Sequence, residues 1–137
     1  MSLAKVIGEA FFHSSLLSSI GSVEMSSKFS VLNFSKDQAI LQRAAESLRS
    51  FVIVGTVWVM ASALTLYSSY GLCGLWASLL ANSIMFYWIV GSYNNAFVQA
   101  ADENELSAPY VFDAKDWKIF NGAVCLFALI MFYLHCF

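Results

Sequence analysis

Residues 50–101, SFVIVGTVWVMASALTLYSSYGLCGLWASLLANSIMFYWIVGSYNNAFVQAA, run for 52 positions without one charged side chain. As one helix at about 1.5 Å per residue they would reach roughly 78 Å, against a bilayer hydrocarbon core of about 30 Å. The stretch must therefore fold back once. Tyr70-Gly71-Leu72-Cys73-Gly74, with glycine at both 71 and 74, supplies the reversal. That predicts a hairpin of two spans, near 50–69 and 75–93, and a third apolar run over 119–137 follows the last charged residue, Lys118. The expected fold is an all-α integral membrane protein. Three transmembrane helices, a tight hairpin plus a C-terminal span, are preceded by an amphipathic N-terminal helical region.

Composition agrees. The chain is 59% hydrophobic and 12% charged, whereas a soluble domain carries about 25% charged residues. With three spans in 137 residues, the expected organisation is a Ser-rich leader over 1–34 and a single membrane domain over 35–137. The net charge of −2 leaves no nucleic-acid footprint. Cys73, Cys125 and Cys136 are odd in number and scattered, with no CxxC or Cys/His ligand spacing. They read as three free, lipid-buried thiols, with neither a disulfide framework nor a metal site.

In the leader, Ser14, Ser15, Ser18, Ser19, Ser22 and Ser26 recur at helical spacing opposite Phe12, Leu16, Ile20 and Val23. This pattern suits a helix lying at the interface or against a neighbouring subunit. Ten serines in the first 35 residues are similar to a mitochondrial transit peptide, but the stretch has no Arg and contains Glu9 and Glu24. A serine-laced 11–23 makes a poor signal-peptide core, so the segment is expected to stay on the chain. Ser35-Lys36-Asp37-Gln38 reads as a capping box. The helix it opens carries Ile40, Leu41, Ala44, Ala45 and Leu48 on one side and Arg43, Glu46 and Arg49 on the other, and continues into the first span. Arg49 at the boundary snorkels to headgroups.

Gly55, Ala61, Ser62 and Ala63 in the first span allow close helix approach, and Gly71 and Gly74 keep the hairpin tight. Asn82 is the strongly polar side chain inside the second span, and needs a partner on a neighbouring helix or water in a cavity. Phe86, Tyr87, Trp88 and Tyr93 read as an interfacial aromatic belt. The acidic loop with Asp102, Glu103 and Glu105 leads past Pro109 to a solvated helix start at Asp113, Lys115, Asp116 and Lys118.

Two spans return the chain to its starting side, so residues 1–49 and 94–118 are expected to share a side and to hold every charged side chain. Lys and Arg bias places that side in the cytosol. The sequon Asn33-Phe34-Ser35 is then expected to stay unmodified. A catalytic reading is weak: His13 and His135 are expected on opposite sides of the membrane, and no Ser-His-acid set or phosphate loop is legible.

Residues of about 43–137 resemble the family that contains subunit six of the ER membrane protein complex and the Rab-five-interacting protein of the multipass translocon. The pattern comprises Arg49, Gly55-Thr56-Val57-Trp58, the Tyr70-to-Gly74 turn, Asn82, Ser92-Tyr93, Asp102-Glu103-Asn104-Glu105 and the closing Phe132-Tyr133-Leu134-His135-Cys136-Phe137. The resemblance implies a non-catalytic three-span subunit of the endoplasmic reticulum, with its N-terminus cytosolic and its C-terminus lumenal; from the residues themselves no cofactor is expected. It implies pairing with an Oxa-type subunit to shape a groove through which transmembrane segments enter the bilayer. Asn82 is the candidate groove residue, with Arg49, Asp102, Glu103 and Glu105 as contacts at its cytosolic mouth.

The alternative is an accessory structural subunit of a mitochondrial respiratory or ATP synthase complex in the inner membrane, towards which the serine-rich leader leans. A small transporter or redox enzyme is a third reading, disfavoured by the lack of ligand residues within the spans.

Overall fold

The computed structural model describes residues 3–32, 38–103 and 114–137, with the side chains of 24–32, 97, 100–103 and 114–116 excepted. They form four helices: α1 (Leu3–Leu32), α2 (Gln38–Tyr70), α3 (Leu72–Glu103) and α4 (Ala114–Cys136). Three stretches are long and apolar enough to cross a bilayer: Gln38–Tyr70, Leu72–Ala96 and Trp117–Cys136. The protein is an all-α integral membrane protein, as the charge-free stretch requires.

The capping box at 35–38 falls mainly outside the described residues, but the helix after it has the predicted faces. Leu41, Ala44, Ala45 and Leu48 are buried, while Arg43, Glu46 and Arg49 are exposed. Helix α2 continues unbroken to Tyr70, so surface helix and first span are one element. The reversal is tighter than the five-residue turn expected. Gly71 alone breaks the helix, at a φ of 73°, which L side chains rarely adopt. Its N–H caps α2 on the Tyr67 carbonyl at 2.8 Å, and its carbonyl accepts the Leu75 N–H at 3.1 Å. Gly74 already belongs to α3, and a Cβ there would meet the Leu66 carbonyl oxygen at 2.3 Å. Lower down, a Cβ at Gly55 would lie 2.6 Å from the Phe86 ring. In lipid, helices associate through such close packing and through hydrogen bonds, because hydrocarbon is as apolar as the side chains. Gly55, Ser62 and Ala63 face inward as expected, but Ala61 is exposed.

Helix α3 is the spine, with α1, α2 and α4 all packed against it. Phe86 is part of this packing. It is buried, with Phe51 and Trp117 edge-on at 5.7 and 5.5 Å, so it leaves the aromatic belt predicted for it. Trp88, 70% exposed, does face outward. Helix α4 presents most of its surface to the surroundings, including Phe120, Leu126, Leu129, Ile130 and Leu134. Its inward contacts include Ala128, which is buried, and Phe127 against Trp76 at 5.4 Å.

Helix α1 departs from the expected interfacial leader. It lies along its own chain, antiparallel to α2: Glu9 meets Tyr70, His13 meets Ser62, and Gly21 meets Phe51. Its buried face is Val6, Ala10, Ser14, Leu17 and Gly21, while Phe12 and Val23 are 61% and 79% exposed. Apolar side chains thus lie on both faces, Val6, Ala10 and Leu17 inside and Phe11, Phe12 and Val23 outside. The serines are made tolerable by bonding their own backbone, Ser14 and Ser15 to the Phe11 carbonyl and Ser19 to that of Ser15. One consequence corrects the charge map. Lys5 and Glu9 lie at the hairpin-turn end of the bundle, not with Arg43, Arg49 and Lys118, so the charged side chains of residues 1–49 do not gather at one end.

The three-thiol expectation also fails. Cys73 and Cys136, 63 residues apart, form a disulfide with a Cα–Cα distance of 5.1 Å, and Cys125 is the free cysteine. The bond joins the start of α3 to the last turn of α4, beside Leu3, Val6 and Tyr70.

Candidate functional site

Asn82 is wholly buried where α1, α2 and α3 meet. Ser78 and Asn82, four residues apart on α3, share a face, and Ser62 of α2 lies opposite. The Asn82 Nδ2 donates to the Ser78 carbonyl at 2.9 Å and lies 3.2 Å from both the Ser62 and Ser78 hydroxyls. Those hydroxyls are 2.8 Å apart. His13 extends the string to α1, with its Nδ1 2.5 Å from the Ser62 Oγ. The Trp58 indole N–H donates to the His13 carbonyl at 3.1 Å. The Asn82 Oδ1 is buried without a donor among the described residues.

This string ties three helices in a setting where an unpaired polar group is expensive. A His–Ser pair is also the beginning of a nucleophile, but Ser62 is buried and shared among His13, Ser78 and Asn82. As arranged, no substrate carbonyl reaches it. No group of three metal-ligating side chains occurs among the described residues.

Of the other predicted residues, Arg49 is exposed on α2, about 20 Å along the helix axis from Ser62. Asp102 and Glu103 end α3, but their side chains, and all of Glu105, lie outside the described residues. The structure therefore joins Asn82 to the string but does not bring Arg49 to it. Sequence reasoning missed Ser62 as the partner of Asn82 and His13 as the partner of Ser62. The available signal was a histidine flanked by uncharged residues over 10–23, long enough to lie beside a span.

Grooves flank α4 on either side. One has α2 and α4 as walls and α3 as floor, about 190 Å³ in volume, with Thr56, Ser83 and Asn121 among its apolar lining. Each is a small polar group: the Thr56 hydroxyl donates to the Val52 carbonyl, and the Asn121 amide to that of Trp117. The other, of about 300 Å³ between α1 and Phe132 of α4, is nearly all apolar. No family model, curated protein or solved structure matches the chain.

Proposed function

We propose that the protein is a non-catalytic subunit of an insertase or translocon complex of the endoplasmic reticulum membrane, pairing with an Oxa-type subunit. The observation that carries this reading is the Cys73–Cys136 disulfide at the end of the bundle opposite Arg43, Arg49 and Lys118. Disulfides persist in oxidising compartments such as the ER lumen. Lys and Arg favour the cytosolic side. Both preferences are met by one orientation, with the turn and the end of α4 in the lumen.

The groove between α2 and α4 is the path this reading assigns to a passing segment, in place of Asn82. Its floor and walls offer Thr56, Ser83 and Asn121 to polar groups that would otherwise meet bare hydrocarbon. Asn82 then acts as the clasp that holds α2, one wall of the groove, on the α3 spine.

The test is purification of tagged protein in mild detergent, with mass spectrometry of its companions. A stoichiometric Oxa-type membrane protein is the expected result. Respiratory or ATP synthase subunits in its place would overturn the reading in favour of a mitochondrial accessory subunit.

A further inference from the structure

A third cavity, of about 300 Å³, opens between α3 and α4 at the end of the bundle that carries Arg49. Its lining includes Tyr87, Trp88, Asn94, Asn95, Trp117 and Lys118. Its depth in the bilayer follows from the spans: residues 91–95 close the span Leu72–Ala96, and Trp117 and Lys118 open the span Trp117–Cys136. The cavity therefore sits at headgroup level, where amphipathic aromatic rings are favoured. Lys118 is exposed at its edge. Asn94 is 2% exposed, and its Oδ1 has no hydrogen-bond donor among the described residues. The terminal torsion of an asparagine is broad, so a small turn of the carboxamide presents this acceptor to the cavity.

A cation at the edge, an unfilled acceptor within and aromatic walls facing lipid are complementary to one ligand class. We propose that this cavity binds a phospholipid whose headgroup carries a primary ammonium, of the phosphatidylethanolamine type. The Lys118 ammonium holds the phosphate, the headgroup N–H donates to the Asn94 Oδ1, and the glycerol region lies along Tyr87 and Trp88. Phosphatidylcholine has the same phosphate and the same net charge but no N–H to donate, so it discriminates the acceptor from the cation. The proposal needs only the bilayer and is independent of the insertase reading.

The test uses the full chain, purified in detergent and re-equilibrated with equal amounts of phosphatidylethanolamine and phosphatidylcholine of matched acyl chains. Retained lipid is then counted by native mass spectrometry. The expected result is a preference for phosphatidylethanolamine of about tenfold, the effect of one charge-assisted hydrogen bond. Asn94→Leu should erase the preference, Asn94→Asp should keep it, and Lys118→Gln should lower retention of both lipids alike. Formation of the Cys73–Cys136 disulfide checks that each variant folds. Should Asn94→Leu fail that check, Asn94→Asp and Lys118→Gln carry the test. Equal retention of the two lipids by the unaltered protein, a preference untouched by Asn94→Leu, or retention untouched by Lys118→Gln would each overturn the proposal.

Discussion

The Tyr70 hydroxyl donates to the Glu9 Oε1 at 2.8 Å, across 61 residues of sequence. This bond sets the head of α1 beside the turn between α2 and α3, and the Cys73–Cys136 disulfide brings the end of α4 to the same place. The first helix therefore runs the length of the hairpin instead of lying at the far end of it. On the proposed orientation, with the turn end in the ER lumen, an acceptor sequon appended before Leu3 and another appended after Phe137 should both be glycosylated in ER-derived microsomes, while Asn33 stays unmodified. Modification of the C-terminal acceptor alone would put the N-terminus across the membrane from the turn and contradict the packing of α1 along α2.

The disulfide matters most to α4, which has little other inward packing. Reduction should slow the protein's migration on a non-reducing gel and leave three alkylatable thiols, against one, Cys125, in the oxidised protein. Cys73→Ser or Cys136→Ser should lower stability by about 2–4 kcal/mol, read as a fall in melting temperature in detergent. Faster hydrogen exchange should be confined to the last turns of α4. Three reactive thiols in protein isolated under non-reducing conditions would refute the bond.

The glycines separate by what a methyl group would meet. Gly74→Ala forces a carbon against the Leu66 carbonyl, a backbone atom that cannot swing away. It should open the hairpin and cost about 1–3 kcal/mol, in the range of overpacked cores. Gly71→Ala pays for the left-handed backbone, about 1–2 kcal/mol. Gly122→Ala meets nothing within 4 Å, and should be neutral or up to about 1 kcal/mol stabilising through helix propensity. Thermal melts of the three variants side by side give the ranking, and a Gly122→Ala protein as unstable as Gly74→Ala would contradict this packing.

How much of this was legible in the sequence depends on the distance over which each signal acts. The hairpin and the buried face Leu41, Ala44, Ala45 and Leu48 were readable because helical period and glycine chemistry are local. The disulfide was not, since a spacing of 63 residues carries no information until α3 and α4 lie antiparallel. The placement of α1 was not legible, because its serines and its apolar side chains do not separate between a buried and an exposed face. Val6 and Leu17 turn inward while Phe12 and Val23 turn outward. The need of Asn82 for a partner on a neighbouring helix was legible, but nothing local named Ser62 as that partner or His13 as the next group in the string.

The polar string makes the sharpest energetic claim, because Ser62 serves three partners at once. Asn82→Leu removes its amide contacts but leaves Ser62 and Ser78 paired with each other and Ser62 with His13. Intramembrane hydrogen bonds average about 0.6 kcal/mol, so a loss of about 1 kcal/mol is expected. Ser62→Ala strands His13 and withdraws one contact from Asn82, and should cost more, about 1–3 kcal/mol, as each unpaired buried group exacts its desolvation. In the double variant the two losses should not add, because Asn82→Leu has already removed a group that Ser62→Ala would leave wanting. A double-mutant cycle on unfolding in detergent measures this coupling. His13→Ala in the Ser62→Ala background should then be close to silent. If the losses from Ser62→Ala and Asn82→Leu proved additive, the string would be three separate contacts, and Asn82 would be free for another role at this depth.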